Sequence, residues 1–296
     1  MSLHEAAVRL ADDARERASG IAVAVIDGDD EAIHLDAGAD PLTEHTRFDI
    51  GSIAKTLTAL LLAEMVVAGE IELEGIAARE ITFLQLATHT SGLPPIPDNF
   101  AAKAKAVPEN PWRDYTPEDL AEAVAAVELA PGPELYSNFG YAVLGAALEE
   151  GGGAPYGELL ATRVLGPLGL AGTAYGWGGS EHRIPGYVMN RPAPDWTLQV
   201  PGPGGVISTL ADMIRYLRAQ LDPASSPLAE AIELTHRPLG WSAYGPALWH
   251  NGGSGGFGSM IAFDRAQGRA VAVLTNRAHT PTIDQLAMRE LHEPHP

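Results

Sequence analysis

Ser52 and Lys55 stand three residues apart in the stretch Phe48-Asp49-Ile50-Gly51-Ser52-Ile53-Ala54-Lys55-Thr56, just ahead of a long apolar run. Residues at that spacing share one face of a helix turn. A serine hydroxyl is a poor nucleophile at neutral pH until a base within about 3 Å takes its proton. A lysine can be that base only as the neutral amine, since its ordinary pKa is about 10.4. Burial and the positive end of a helix dipole both favour the neutral form. By itself the pair is equally what a capping serine followed by a surface lysine looks like, so the rest of the chain has to supply the other parts of such a site.

Two further stretches do. Tyr136-Ser137-Asn138 follows Pro131-Gly132-Pro133-Glu134-Leu135. A phenol can share a proton with a serine and a lysine, or protonate a leaving group. An asparagine beside it can hydrogen-bond both the lysine and a substrate amide. His250-Asn251-Gly252-Gly253-Ser254-Gly255-Gly256-Phe257 precedes a strand-like run. Glycines there let a substrate approach the backbone, and a backbone N–H of that run, with that of Ser52, could hold an oxyanion.

The same glycine run offers two decoys. Gly252-Gly253-Ser254-Gly255-Gly256 fits Gly-x-Ser-x-Gly, with Asp264 and His279 as nominal partners, but that nucleophile turn requires a helix after the serine. Gly253 to Gly258 fits Gly-x-Gly-x-x-Gly, which also requires a following helix. His89, in Thr88-His89-Thr90-Ser91-Gly92, invites a catalytic role, which the family resemblance given below replaces with that of a structural turn. The remaining histidines are scattered and no metal-ligand spacing occurs, so neither a metal nor a cofactor is expected.

The elements that would position these residues are legible in outline. Met1 to Gly20 reads as an amphipathic helix carrying Arg15, Glu16 and Arg17, with no apolar signal core. Ile21 to Ile26 and Glu31 to Ala37 flank Asp27-Gly28-Asp29-Asp30 and predict a hairpin; Ser259 to Asp264 and Ala270 to Thr275 predict a second. Helices are expected over Ser52–Val67, Thr82–Ala87, Thr116–Val127, Phe139–Glu149, Tyr156–Leu165, Leu210–Leu221 and Thr282–His292. Leu93 to Asn110 and Gly172 to Gly205 read as long loops. Hairpins at both ends predict one antiparallel sheet built from the two termini and covered by the terminal helices.

Composition narrows the field. The chain has 296 residues, 46% hydrophobic, enough for a large core, and a net charge of −19 with 38 acidic against 19 basic residues. That excess argues against nucleic acid or anionic membrane as a partner. There are no cysteines, which removes disulfides and thiolate catalysis. No segment is long and apolar enough to span a bilayer. As written, the chain is expected to be soluble and cytoplasmic, with export the alternative if a signal was trimmed upstream of Met1.

With these stretches on the page, the chain resembles the serine β-lactamase and penicillin-binding-protein superfamily, in its class C β-lactamase-like branch. Supporting stretches are Leu84 to Pro94, Val164 to Thr173 and Pro203 to Thr209, and the similarity runs from about Phe48 to Asn276. The resemblance implies an α+β fold: a helix-flanked antiparallel sheet domain (residues 1–56 and 200–296), a mainly helical domain (57–199), and an active site between them. It implies Ser52 as acyl-accepting nucleophile, Lys55 as its proton partner, Tyr136 as general base and acid, Asn138 as amide-orienting residue, and Ser52 with Gly253 as oxyanion hole. His250 stands where many relatives carry the lysine of Lys-Thr-Gly. A histidine is mostly neutral at pH 7, so weaker anchoring of a substrate carboxylate is expected, favouring simple esters or amides over β-lactams. Asn251, Gly252, Trp249 and Tyr187 are further candidates for contact with substrate.

The expected activity is hydrolysis of a small-molecule ester or amide through a Ser52 acyl-enzyme. The alternatives are a transacylase using the same acyl-enzyme, and a penicillin-recognising sensor or inactive relative.

Overall fold

The computed structural model describes residues 2–14, 20–37, 41–130, 133–179, 182–237, 239–278 and 280–293. Arg15, Glu16, Arg17, Pro131, Gly132 and His279 lie outside the described residues.

The chain opens with helix α1 (Leu3–Ala14) and the hairpin β1 (Ile21–Asp27) and β2 (Asp30–Asp36). It ends with β10 (Ser242–Tyr244), β11 (Ala247–Ser254), β12 (Phe257–Asp264), β13 (Arg269–Thr275) and helix α10 (Pro281–His292). These strands form one antiparallel sheet in the order β10-β11-β12-β13-β1-β2. The two ends of the chain join where β1 pairs with β13, from Ile21 opposite Thr275 to Asp27 opposite Arg269.

Side chains alternate across a strand, and β1 sorts them without exception. Ile21, Val23 and Val25 pack with Ala7 and Leu10 of α1 and with Ile283, Ala287 and Leu291 of α10. Ala22, Ala24 and Ile26 enter the larger core on the opposite face. The expected sheet from both termini, covered by the terminal helices, is what the chain builds.

The larger core holds the remaining elements. These are β3 (Arg47–Asp49), α2 (Ala54–Val67), the hairpin β4 (Ile76–Ala78) and β5 (Ile81–Thr82), then α3 (Phe83–Ala87), α4 (Phe100–Ala106), α5 (Pro117–Ala126), α6 (Asn138–Gly152) and α7 (Tyr156–Leu160). Short strands β6 (Ala174–Tyr175), β7 (Tyr187–Val188), β8 (Arg191–Pro192) and β9 (Val206–Thr209) follow, then α8 (Leu210–Leu221) and α9 (Ala229–Thr235).

Helix boundaries follow local chemistry. Thr82, Thr116, Ser137 and Thr209 each cap a helix by accepting a backbone N–H three residues on. Gly153 ends α6 in the left-handed conformation. The expected helix over Tyr156–Leu165 is α7 continued by one π turn, Ala161–Leu165.

Helix α2 is buried all round from Ala54 to Ala63, as an all-apolar helix must be. Its polar residues are satisfied internally. Thr56 donates to the Ile53 carbonyl, and Thr58 Oγ1 lies 3.0 Å from both the Ala54 and the Gly202 carbonyls, which share its single proton. A rigid, buried helix with a 3-10 turn at its start (Gly51–Ile53) thus carries Ser52 and Lys55.

Candidate active site

Ser52 and Lys55 meet as their spacing requires, with Nζ 3.0 Å from Oγ. Lys55 has no solvent exposure. Its Nζ also donates to Asn138 Oδ1 at 2.8 Å and to the Pro203 carbonyl at 2.7 Å. Burial without any carboxylate partner holds the amine well below the usual lysine range. Two N–H bonds then go to acceptors that cannot donate, and the lone pair is left for the Ser52 hydroxyl.

Asn138 opens α6 and is fixed there by the Ser137 cap and by its own N–H, which donates to the Pro95 carbonyl at 2.9 Å. With Oδ1 taken by Lys55, its amide nitrogen remains for other partners. Asn138, Ser52, Gly51 and Gly253 line one small cavity of about 80 Å³, closed by Trp112, Trp196 and Leu198.

Tyr136 stands on the other side of the pair. Its ring lies 5.0 Å from Lys55 Nζ, and its hydroxyl bonds with Ser52. The residue is 43% exposed, yet burial of the hydroxyl end pushes it up to about 12, an effect the Ser52 bond only partly offsets. At neutral pH it is therefore a phenol. Of the two groups, Lys55 is the one that its surroundings push toward the base form.

The glycines of β11 explain how the two backbone segments come together. A Cβ on Gly252 would meet the Ile50 carbonyl oxygen at 2.0 Å, and one on Gly51 would meet the Gly253 nitrogen at 2.6 Å. Ser259 of β12 reinforces the contact by donating to the Ile50 carbonyl at 2.8 Å. Strand β11 thus lies directly against the 3-10 turn that carries Ser52, and the Gly253 amide is brought beside it.

His250 is buried, with its ring centroid 6.2 Å from that of Tyr136. Nδ1 lies 2.6 Å from the Asn251 carbonyl. A carbonyl only accepts, so Nδ1 carries the proton and Nε2 is bare. Burial first, then the neighbouring Lys55, lower this imidazole to about 3. It is neutral across the working range and presents no cation.

The other candidates divide between the two faces of β11 and the β7–β8 hairpin. On β11 the period of two puts His250 and Gly252 on the inner face and Trp249 and Asn251 on the outer. Asn251 Nδ2 donates to Asp284 of α10 at 2.7 Å. Trp249 packs in the core beneath the terminal helices and borders an outer cavity with α10. It also reaches a second cavity of about 480 Å³ that opens onto Tyr136, His89 and His250. Tyr187 is tied by its N–H to the Gly256 and Asn276 carbonyls, at the hairpin β7–β8, and does not line the small cavity beside Ser52.

Ser254 ends β11 and is followed by strand β12. The surroundings are strand–turn–strand, which neither the Gly-x-Ser-x-Gly nor the Gly-x-Gly-x-x-Gly motif can use.

Residues not singled out from sequence also contribute. The Pro203 carbonyl is a ligand of Lys55, and Trp196 roofs Gly255. Asp49 lines the small cavity, buried, its Oδ1 accepting the Gly51 N–H at 2.8 Å. Burial raises its carboxyl to about 6, against the pull of that N–H and of Ser254. A backbone carbonyl leaves no trace in residue type, but Asp49 two residues before the glycine of a helix start was a readable turn signal.

Comparison with known proteins gives the family of the chain. The profile of the family described as Beta-lactamase matches residues 7–293. The chain belongs to the beta-lactamase family. Its relatives include a beta-lactamase of Pseudomonas fluorescens, 25% identical over 88% of this chain and 88% of that protein. Penicillin-binding protein 4 of Amycolatopsis lactamdurans is 28% identical over 92% of this chain and 84% of its own length. The D-alanyl-D-alanine-carboxypeptidase/endopeptidase AmpH of Escherichia coli K12 is 30% identical over 69% of this chain but only 58% of that protein. Among the described residues of this beta-lactamase family member, no helix is long and apolar enough to cross a membrane.

Proposed function

We propose that this protein is a serine hydrolase that cleaves small esters or amides through an acyl-enzyme on Ser52. The observation that carries the reading is the buried contact of Lys55 with Ser52 at 3.0 Å, completed by Asn138 and Pro203 and free of any carboxylate partner.

In the first half-reaction, Ser52 Oγ bonds to the substrate carbonyl carbon while its proton passes to Lys55 Nζ. The Ser52 and Gly253 N–H groups hold the developing oxyanion. The bond to the leaving group breaks, and the leaving atom takes the proton of the Tyr136 phenol. The proton on Lys55 then returns to the Tyr136 oxygen. In the second half, water adds to the acyl carbon and gives a proton to the same pair of groups, and Ser52 leaves with one. Asn138 Nδ2 is placed to orient the acyl group. His250 stays neutral and offers no charge to a substrate carboxylate, which supports plain esters and amides over β-lactams.

The cavity of about 480 Å³ on the Tyr136 side favours one second reading. It has room for an acceptor other than water, so the acyl group could pass to an alcohol or amine.

The test is mass spectrometry after exposure to a fluorophosphonate, p-nitrophenyl acetate and a penicillin in parallel. Ser52 is expected to carry the fluorophosphonate and acetyl adducts, Ser52→Ala to carry none, and Ser254→Ala to label like the wild type. Labelling that survives Ser52→Ala sinks the proposal, and efficient penicillin turnover removes the His250 argument. Added hydroxylamine separates hydrolysis from transfer by its product.

A further inference from the structure

Tyr136 is held through its two chain neighbours, and His89 holds both. The Leu135 N–H donates to the His89 carbonyl at 2.9 Å, and the Ser137 N–H donates to His89 Nδ1 at 3.1 Å. The imidazole also lies against the Tyr136 ring, with centroids 4.7 Å apart. On its other side it packs on Tyr141 at 5.0 Å. Tyr141 is fixed in turn, its buried hydroxyl donating to the Ala87 carbonyl at 2.9 Å. One residue therefore sets the height, the direction and the ring plane of the phenol.

The arrangement requires a particular protonation state. Because Nδ1 accepts from Ser137, a neutral imidazole carries its proton on Nε2. A doubly protonated ring would point N–H against N–H and release the Ser137 tie. Burial and the nearby Lys55 keep the ring neutral by lowering it to about 4. His89 also adopts a left-handed backbone, φ 58°, uncommon for a residue with a side chain and found where surroundings over-determine it.

We propose that His89 is a positioning residue that aims the Tyr136 phenol at the atom leaving the substrate carbonyl. It acts through Tyr136 and rests on the reading of Tyr136 as proton donor given above. It explains why a residue that looks like part of a turn lines the same cavity as Tyr136 and His250.

The experiment compares two acetate esters of similar size. p-Nitrophenolate departs without a proton, whereas p-methoxyphenolate is far more basic and gains from one. Tyr136→Phe is expected to slow p-methoxyphenyl acetate by on the order of 100-fold, at the lower end of what general acid catalysis supplies, and p-nitrophenyl acetate by less than about tenfold. His89→Ala is expected to reproduce that pattern in kcat/KM, which reports acylation and not the deacylation the two esters share, while Ser52 still takes the fluorophosphonate. His89→Asn, which tolerates the left-handed backbone and retains an acceptor, is expected to recover part of the loss. Should His89→Ala not fold, the discrimination between the two esters by His89→Asn against wild type is read instead.

Equal losses on both esters from the His89 variants, with Tyr136→Phe discriminating, overturn the positioning role and leave the Tyr136 reading standing. Absence of discrimination in Tyr136→Phe itself overturns both, while Ser52 labelling still reports on the acyl-enzyme.

Discussion

A methyl group on Gly51 would stand 2.6 Å from the amide nitrogen of Gly253. The two backbones touch with no side chain between them. The proposed oxyanion hole depends on that contact to line up its two N–H groups, and Gly252 protects the contact because any Cβ there would strike Ile50 and Ser259. Gly252→Ala is expected to lower kcat/KM for p-nitrophenyl acetate by at least about 100-fold, as loss of one oxyanion donor does, and to lower the melting temperature. Gly179→Ala, where nothing lies within 4 Å of the added carbon, is the control and is expected to change neither.

Lys55 gives a second prediction through its charge. Because burial holds it well below the usual lysine range, the neutral base forms at a lower pH than in a solvated lysine. The kcat/KM profile is expected to rise through an acid limb well below 10.5 and then stay level, since Tyr136 does not lose its proton until about 12. A profile that rises only near 10 contradicts a neutral resting amine. Lys55→Arg cannot deprotonate and is expected to cut Ser52 acylation by on the order of 1,000-fold.

Stability should depend on pH through three imidazoles. Burial lowers His89 and His236 to about 4 and His250 to about 3. The unfolded chain binds these protons from about 6.5 downward while the native protein does not, so their stabilisation is present above 6.5 and lost as pH falls toward 3. Asp49 works in the opposite sense: raised to about 6, it stabilises most when protonated and loses that contribution as pH rises through 6. Together these four groups predict a net uptake of about two protons on unfolding at pH 5. Urea midpoints at pH 7, 5.5 and 4.5 should fall in that order.

Trp196 sets the size of the cavity beside Ser52. Its indole lies where a Gly255 side chain would be, and Nε1 donates to the Glu109 carbonyl at 2.8 Å. Removing it opens the cavity of about 80 Å³ toward the surface. Trp196→Ala is expected to raise the ratio of kcat/KM for p-nitrophenyl hexanoate over acetate by about tenfold, the low end of what one methylene is worth in an apolar pocket. An unchanged ratio would place the acyl chain on the Tyr136 side instead.

Much of this was readable from residue order. Threonine and serine caps announce α3, α5, α6 and α8, β-branched runs announce β1 and β13, and a short apolar run announces β12. The same holds for Ser52 with Lys55, whose contact follows from helical spacing alone. Strand β11 was not readable, because Trp249-His250-Asn251-Gly252-Gly253 mixes a strand start with glycines that have no side chain to pack. Those glycines look like a loop by propensity but are required by the close approach of the Ile50–Gly51 backbone. Without the strand there was no alternation, and so no sign that Asn251 and Trp249 face α10 while His250 faces Tyr136. His89 escaped for a related reason. Its influence runs through backbone groups of Leu135 and Ser137, which no residue type reveals.

The joining of β1 to β13 has a consequence for the newborn chain. Ser52 and Lys55 leave the ribosome early, but the amide of Gly253 that would complete the oxyanion hole arrives only with the last strands. Such long-range closure is slow relative to local helix formation. A chain cut short anywhere before β11 would carry the serine and the lysine yet lack the second oxyanion donor. Finished molecules would then react with a fluorophosphonate faster than partial ones, by about the 100-fold or more that one oxyanion donor is worth.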